Sequence, residues 1–173
     1  MYKLLNFAHK IFRSNFGELR FPYRLTYIVT YRCHFRCSMC SIWHKPAGAE
    51  LSVEEIRKFF KTANMFSWIN LSGGELFLRS DLFDIVGALY ESCPALYVLD
   101  FPTNGYEGDR IVETVERILR DYAIPRLYIT VSLDGPPEVH DAIRSVPGAW
   151  ERAVETFRRL QVRVRSAQGR LHV

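Results

Sequence analysis

The chain has 173 residues, of which 48% are hydrophobic and 14% aromatic, so it can bury the core of one globular domain. Its formal net charge of +4 is small, and Lys and Arg are spread along the chain with a local excess at both ends. Such a mild charge does not predict nucleic-acid binding, because proteins that bind nucleic acids concentrate basic residues on one surface. No stretch reaches the ~20 apolar residues of a membrane span, and the first residues lack the apolar core and cleavage site of a secretory signal. We therefore expect a cytoplasmic protein, where clustered cysteines bind metal or carry out redox chemistry more often than they form disulfides.

Residues 1–22 are predicted to be an N-terminal segment that contains a short amphipathic helix. Apolar residues recur there at helical spacing among cations, namely Leu4, Leu5, Ala8, Ile11 and Phe12 among Lys3, Lys10 and Arg13. A helix of this kind either packs on its own domain or docks on a membrane surface or a partner. The sequence does not decide between these alternatives.

Residues 23–173 alternate between short apolar runs and longer helical patterns. The predicted strands are 25–30, 68–71, 96–101 and 127–133, and the predicted helices are 53–63, 82–91, 111–121 and 150–160. Ser52 and Glu55 are spaced as a capping box at the start of the first of these helices. Repeated strand–helix units of this length indicate parallel strands joined by right-handed crossovers, in an open sheet or a (β/α) barrel.

The last residues of the chain are predicted to be the start of a strand that the sequence does not complete. RVRSAQGR is predicted to be a polar connection, and LHV the first residues of a further strand. Three residues pair too weakly to form a stable terminal strand. We therefore expect the chain to be the N-terminal part of a longer protein.

The motif CHFRCSMC places three thiols, those of Cys33, Cys37 and Cys40, in the loop that follows the first strand. Three thiolates at this spacing can bind one soft metal centre, but a closed iron–sulfur or structural zinc site needs four ligands. On a four-iron cluster, the iron without a thiolate is open to a substrate or cofactor. On zinc, His34 or His44 would complete the tetrahedron. The motif alone leaves both alternatives open.

Three further motifs each follow a predicted strand, at the end where β/α folds present ligand-binding groups. GGEL follows the second strand, TNG the third and SLDG the fourth. Paired glycines let a backbone approach a ligand closely, and a carboxylate beside them can accept hydrogen bonds from an ammonium group. Each motif by itself is also typical of an ordinary turn. The residues of interest in these motifs are Gly73, Gly74, Glu75, Asn104, Ser132 and Asp134.

Together, CHFRCSMC, GGEL, TNG and SLDGPPEVHDAIRSVPGAW resemble the radical S-adenosylmethionine (SAM) superfamily over roughly residues 23–160. The family's GGEP stands here as GGEL, which keeps both glycines and the carboxylate. SLDG followed by His140 and Arg144 is most similar to the branch whose members carry SPASM or twitch auxiliary-cluster domains after the core. Such a domain would lie beyond Val173.

The resemblance implies an α/β fold, a partial (β/α) barrel in which residues 23–173 supply about four of six β/α units and the start of a fifth. It implies two cofactors, a [4Fe–4S] cluster and SAM. The implied cluster ligands are Cys33, Cys37 and Cys40. The implied contacts of the methionine amino group are Gly73, Gly74 and Glu75, and the backbone beside Met39 would meet the adenine. Candidates for the ribose and the methionine carboxylate are Asn104, Ser132 and Arg144.

The implied function is that of an iron–sulfur enzyme that reductively cleaves SAM to a 5′-deoxyadenosyl radical. This radical would abstract hydrogen from a peptide or a small molecule, and a flavodoxin or ferredoxin would supply the electron. The alternatives are a non-catalytic zinc-binding module and a degenerate family member that binds a cluster without turnover. Cys93, beside Pro94 and far from the other cysteines, is predicted to be a buried neutral thiol.

Overall fold

The computed structural model describes residues 2–46 and 48–173, so Met1 of the predicted N-terminal segment lies outside the described residues. Within these ranges the helices are α1 (Tyr2–Phe16), α2 (Val53–Thr62), α3 (Leu82–Ser92), α4 (Gly108–Asp121), α5 (Pro137–Arg144) and α6 (Ala149–Ser166). The strands are β1 (Arg24–Thr30), β2 (Trp68–Gly73), β3 (Val98–Thr103), β4 (Arg126–Val131) and β5 (Leu171–His172). Short 3₁₀ turns cover Ile42–His44 and Leu76–Leu78.

All the strands are parallel and follow one another across the sheet in the order β1-β2-β3-β4-β5. A doubly wound sheet reverses its strand order at a switch point, and no such reversal occurs in the described chain. The sheet is not closed between β5 and β1. This arrangement confirms the predicted partial (β/α) barrel.

One face of the sheet forms the core with the crossover helices. A single apolar row runs across the strands in register, made of Leu25, Ile69, Leu99, Leu127 and Leu171. This row shares one buried cluster with apolar residues of α2, α3, α4 and α6. Residues of the other face, such as Asn70 and Asp100, keep part of their surface exposed. The helices therefore fix the sheet from one side and leave its ends available for loops.

The predicted capping box is confirmed, because the Ser52 hydroxyl accepts from the Glu55 amide and the Glu55 carboxylate accepts from the Ser52 amide. The last predicted helix was placed too short, since α6 continues to Ser166 through residues expected to be a polar connection. Arg163 in this extra turn pairs with Glu116 of α4 at 2.7 Å, and Val164 packs on the core. LHV does start a strand, as predicted.

Helix α5 is not among the helices that the sequence pattern predicts. It begins at the second of two adjacent prolines, Pro136 and Pro137, and Pro147 and Gly148 follow it closely; such residues predict turns rather than a helix. Pro137 fits the first helical position, where its missing N–H costs no hydrogen bond. Ser145 ends the helix in the left-handed region, with a φ of 59°. This short helix lies directly against the cysteine loop.

Candidate functional site

A cleft of about 180 Å³ opens at the C-terminal edge of the sheet, where β1 to β4 end. All the residues that the sequence motifs predict as cluster ligands or SAM contacts line this cleft. Those residues are Cys33, Cys37, Met39, Cys40, Gly73, Gly74, Glu75, Asn104, Ser132 and Arg144. They come from loops up to about a hundred residues apart in sequence. Their individual roles stay predictions, but their shared position gives a single site to which those roles can belong.

The cysteine loop, residues 31–41, is anchored by its own small apolar cluster. Phe35 points inward from the loop and is only 1% exposed. It packs with Cys37 and with Ala149 at the start of α6, and its ring meets that of Tyr106 edge-on. A loop fixed by a buried aromatic residue can hold its thiols in a defined arrangement before any ligand binds.

Helix α5 holds the same loop through hydrogen bonds. The Ser38 amide donates to the Ile143 carbonyl at 2.9 Å, and the Ser145 hydroxyl donates to the Arg36 carbonyl at 3.0 Å. Within the loop, the Cys40 amide donates to the Cys37 carbonyl at 3.1 Å. The missed helix is therefore the brace that sets the shape of the cysteine loop.

The three thiols differ in their surroundings. Cys37 is buried, Cys33 is half-buried and Cys40 is exposed. Burial is the main cause that raises the pKa of Cys33, and the nearby Glu75 carboxylate adds to the effect. Since metals bind thiolates, binding at Cys33 would have to release its proton.

The arrangement of the thiols bears on the choice between a cluster and zinc. Among the described residues, no group of three or more His, Cys, Asp or Glu side chains converges as a single-ion site requires. Zinc needs all its ligands within about 2.3 Å of one ion, whereas in a four-iron cluster each thiolate takes its own iron. The candidate zinc ligands do not line the cleft: His34 packs against Phe35 and Tyr106, and His44 stacks on Trp43. His34 and His44 are therefore packed on aromatic neighbours outside the cleft that the three cysteines line.

The glycines of GGEL join the end of β2 to the cysteine loop. The Gly74 amide donates to the Thr30 carbonyl at 2.9 Å, and the Glu75 amide donates to the Arg32 carbonyl at 2.8 Å. A Cβ on Gly74 would lie 2.0 Å from the Arg32 oxygen, and one on Gly73 would lie 2.2 Å from the Thr30 oxygen. Only glycine permits this approach, so these residues are needed by the protein itself as well as by any ligand.

Glu75 lines the cleft, but its side chain is almost fully buried and only 1% exposed. Its carboxylate accepts from the Thr103 hydroxyl at 2.9 Å, the Asn104 amide at 2.8 Å and the Phe77 amide at 3.4 Å. Burial raises the pKa of Glu75, and these three donors act in the opposite direction. The side chain thus ties the end of β2 to the end of β3, which the sequence motif did not predict.

Asn104 lines the cleft and carries a side-chain donor that no described residue uses. Its side-chain oxygen accepts from the Tyr106 amide at 2.9 Å. Its Nδ2 is buried and has no hydrogen-bond partner among the described residues. A buried donor without a partner is costly, so the site fits a ligand with an acceptor at this point. This is the clearest sign that the cleft is built for a polar ligand.

Arg144 is held by a partner that the sequence analysis did not assign to it. Its guanidinium makes a bidentate pair with Asp134, with Nε to Oδ2 at 2.5 Å and Nη2 to Oδ1 at 3.0 Å. Its remaining nitrogen, Nη1, faces the sulfur of Cys37 at 3.8 Å. His140 in turn accepts from the Asp134 amide at 3.2 Å and is fully buried. The forked grip expected for a ligand carboxylate is thus made with Asp134, and the free end points to the cysteine loop.

Several residues that line the cleft were not assigned a role from the sequence. They are Phe35, Ile42, Pro102 and Thr103. Thr103 belongs to the TNG motif, so its position at a strand end was the available signal. Phe35 had none, because one phenylalanine in a loop does not reveal that it is buried. Cys93 is buried as predicted, and its burial raises the pKa of the thiol to about 12.

Comparison with known proteins gives a family and a set of related folds. The model of the radical SAM superfamily matches residues 27–167. The chain is 34% identical over 120 residues to a GTP 3′,8-cyclase of Klebsiella pneumoniae, which covers 65% of this chain and 35% of that protein. It is 33% identical over 139 residues to an AdoMet-dependent heme synthase of Methanosarcina barkeri, covering 77% of this chain and 37% of that protein. The chain therefore spans about a third of the length of these relatives.

Solved structures share the fold at low sequence identity. Streptococcus suis SuiB bound to S-adenosylmethionine superposes with a TM-score of 0.65 at 17% identity, over 90% of this chain and 35% of that chain. The anSMEcpe protein with bound AdoMet and the Cp18Cys peptide gives a TM-score of 0.59 at 17% identity, over 86% of this chain and 42% of that chain. At this level of identity, both similarities concern the fold alone.

Proposed function

Because the chain belongs to the radical SAM superfamily, whose cofactors are a [4Fe–4S] cluster and SAM, we propose that it is the core of a SAM-cleaving enzyme. The chemistry that these cofactors supply when bound is one-electron reduction of the sulfonium, homolysis of its S–C5′ bond to methionine and a 5′-deoxyadenosyl radical, and hydrogen abstraction from a substrate. The observation that carries the proposal is the gathering of all ten candidate residues in one cleft.

The cysteine loop would hold the cluster. Cys33, Cys37 and Cys40 would each ligate one iron, which leaves the fourth iron open to SAM. The loop is anchored by the packing of Phe35 and by the hydrogen bonds to α5. It can therefore keep one coordination position free without losing its shape, as catalytic metal sites require.

The ends of the other strands would bind SAM. Asn104 Nδ2 is the donor that lacks a partner, so it would take an acceptor of the ribose or the methionine carboxylate, together with Ser132. The methionine amino group would lie at Gly73, Gly74 and Glu75, where the buried carboxylate supplies negative charge. The backbone beside Met39 would meet the adenine. Arg144 would bind the methionine carboxylate through Nη1, the nitrogen that is not paired with Asp134 and that lies 3.8 Å from the sulfur of Cys37.

The boundaries, partners and substrate belong to the proposal as well. Residues 23–173 would form the SAM-binding core, in agreement with the matched range 27–167, and residues 1–22 a separate segment. A flavodoxin or ferredoxin would deliver the electron. The neighbours include SuiB bound to its precursor peptide SuiA, and the relatives include proteins named for small molecules. A peptide or a small molecule is accordingly the proposed substrate class.

The test is to purify the full-length protein without oxygen and to measure iron, sulfide and 5′-deoxyadenosine, because residues 1–173 alone are not expected to supply the whole SAM pocket. We expect about four irons and four sulfides per chain, the content of a [4Fe–4S] cluster. Addition of SAM and dithionite should release 5′-deoxyadenosine, detected by mass spectrometry. Cys37→Ala should lose both cluster and product. The matched control is Cys93→Ala, which should keep both because Cys93 lies in the core away from the cleft.

Two other outcomes would contradict the proposal. Colourless protein with one zinc per chain would support the zinc-binding alternative, and replacement of His34 and His44 would then release the metal. A stable cluster without any 5′-deoxyadenosine would support the degenerate alternative.

A further inference from the structure

Helix α1 contacts the domain through its more polar face, whereas an amphipathic helix usually packs on its domain through its apolar face. Its partly buried residues follow the spacing of a buried stripe and are Lys3, Asn6, Phe7 and Lys10. Lys10 donates to the Met65 carbonyl at 2.8 Å and to the Ser67 hydroxyl at 2.9 Å, and burial lowers its pKa. Phe7 is the one large apolar side chain of this stripe. The inward side of the helix is therefore mostly polar.

The opposite side of α1 is apolar and exposed. We call it the outward apolar face, and its residues are Leu4, Leu5, Ala8, Ile11, Phe12 and Phe16. Leu5 is 61% exposed, Phe12 63% and Phe16 78%. No residue of α1 is buried. Clustered apolar surface of this kind on a folded domain marks an interaction site, because water contact with each of these side chains is unfavourable.

We propose that the outward apolar face of α1 docks the protein on an anionic membrane surface, with the helix lying in the plane of the lipid headgroups. This proposal concerns a different part of the molecule from the cofactor cleft and goes beyond the proposed function. A helix that binds in this way buries its apolar face at the boundary between headgroups and acyl chains. No helix among residues 2–46 and 48–173 is long and apolar enough to cross a bilayer, so α1 would bind along the surface.

The cations on and near α1 favour an anionic membrane as the partner of the outward apolar face. Residues 1–24, which form α1 and the segment that leads into β1, carry five Lys and Arg and a single carboxylate, that of Glu18. Arg13 on α1 and Arg20 just after it are exposed, and the Arg20 guanidinium lies 5.4 Å from the ring centre of the exposed Phe21. Cations beside exposed aromatic and aliphatic side chains complement anionic headgroups above an acyl layer.

The same charge argues against a second copy of the chain as the occupant. A symmetric contact through α1 would place the surface of one copy on the same surface of the other. The cations of the two copies, with Arg13 among them, would then face each other with Glu18 of each copy as the one carboxylate of this segment to pair with. Like charges brought together at an interface cost free energy.

The position of α1 leaves the cleft accessible. Phe7 packs against Tyr23, Trp68 and Tyr97, which lie at the N-terminal ends of β1 to β3. The cleft lies at the C-terminal ends of these strands. A membrane bound to α1 would therefore lie on the side of the domain opposite the cleft. Docking through α1 would leave the cleft open.

The experiment is co-sedimentation of the whole protein with vesicles at low salt. We expect binding to vesicles of phosphatidylcholine mixed with phosphatidylserine, and binding weaker by at least about tenfold to phosphatidylcholine alone. The double variant Phe12→Gln with Phe16→Gln should bind the mixed vesicles at least about tenfold less, because two apolar side chains are lost from the bilayer contact. The matched control is Val162→Gln on α6, a position 63% exposed, which should bind like the wild type.

Several outcomes would overturn the proposal. The wild type failing to sediment with either vesicle would do so, as would equal binding to both compositions or an equal loss in the Val162 variant. Light scattering that shows a dimer abolished by the double variant would assign the face to a second copy instead. The yield of 5′-deoxyadenosine should be the same in the double variant as in the wild type, so this test is independent of the proposed function.

Discussion

The cysteine loop and α1 are each attached to the domain through one main aromatic anchor, Phe35 and Phe7, but they use it in opposite ways. In the loop, Phe35 is buried and the polar or reactive groups face the cleft. In α1, Phe7 and polar side chains face the domain, and the apolar residues face outward. The loop is further fixed by backbone hydrogen bonds to α5 and β2, whereas α1 depends on a few side-chain contacts. A site for a small cofactor needs rigid walls, and a surface for a large partner needs only to be presented.

The two anchors allow the strongest test of this difference. Phe35→Ala should destabilise the cysteine loop by about 3 kcal/mol, as large-to-small changes at buried aromatic positions do. We expect most of the bound iron to be lost on anaerobic desalting, because the thiols would no longer be held together. Phe7→Ala should keep the full iron content and only loosen α1, visible as faster proteolysis near the N-terminus. Equal iron loss in the two variants would show that the two regions are not independent.

The close approach of the Gly74 backbone to the cysteine loop offers a second test of the difference between the loop and α1. Gly74→Ala would put a methyl group 2.0 Å from the Arg32 oxygen and push the cysteine loop away from β2. Overpacking of this kind costs about 2 kcal/mol, so iron content should fall while the far-ultraviolet circular dichroism spectrum stays unchanged. Gly17→Ala, just after α1, is the control, because its new Cβ would lie 4.0 Å from the Arg13 oxygen. Normal iron content in Gly74→Ala would contradict the role assigned to this glycine.

The buried carboxylate beneath the cleft predicts a pH dependence of folding stability. The pKa of Glu75 is raised in the folded state, so the Glu75 carboxyl loses its proton at a lower pH in the unfolded chain, near 4.5, than in the folded protein. The wild type should therefore lose stability relative to Glu75→Gln over the interval up to the raised pKa. Each tenfold difference in proton affinity between the folded and unfolded chain corresponds to about 1.4 kcal/mol of this loss. Urea unfolding of both metal-free proteins across this interval measures it, and parallel stability profiles would show that the carboxylate does not titrate there.

The smallest expected effect concerns the unused donor of the cleft. Asn104→Ala removes the buried Nδ2 and should weaken SAM binding by about 1 kcal/mol, or five- to tenfold in Kd. Isothermal titration of the cluster-loaded protein with SAM measures this change. Asn15→Ala on α1 serves as control, since its amide only donates to the Ile11 carbonyl on the surface. Unchanged affinity in Asn104→Ala would place the donor outside the SAM contact.

Local sequence pattern predicted most elements of the fold. Alternation of apolar runs and helical periodicity located β1 to β4 and the helices between them, and the capping box at Ser52 marked a helix start. These signals are short-range, because they depend on residues within one element. The motifs at strand ends also placed the candidate residues at one edge, since parallel strands present their carboxyl ends together. That inference required only the order of strands and loops.

Long-range contacts decided what the pattern left open. Helix α5 is short and flanked by prolines, so it forms where Ile143 and Ser145 can bond to the cysteine loop. Which side of α1 faces outward likewise depends on its contacts at Met65 and Ser67, which the helical periodicity of α1 does not contain.

The cysteines with their spacing, the strand-end motifs and the parallel β/α order were determined by the sequence itself, because each is a property of neighbouring residues. The tertiary structure alone decided that Glu75 is buried between two strands, that Arg144 is paired with Asp134, and that the apolar face of α1 is exposed. The physical reason is the same for all three. Burial and pairing depend on which distant segments pack together, and that is settled only when the sheet and its helices close on a common core.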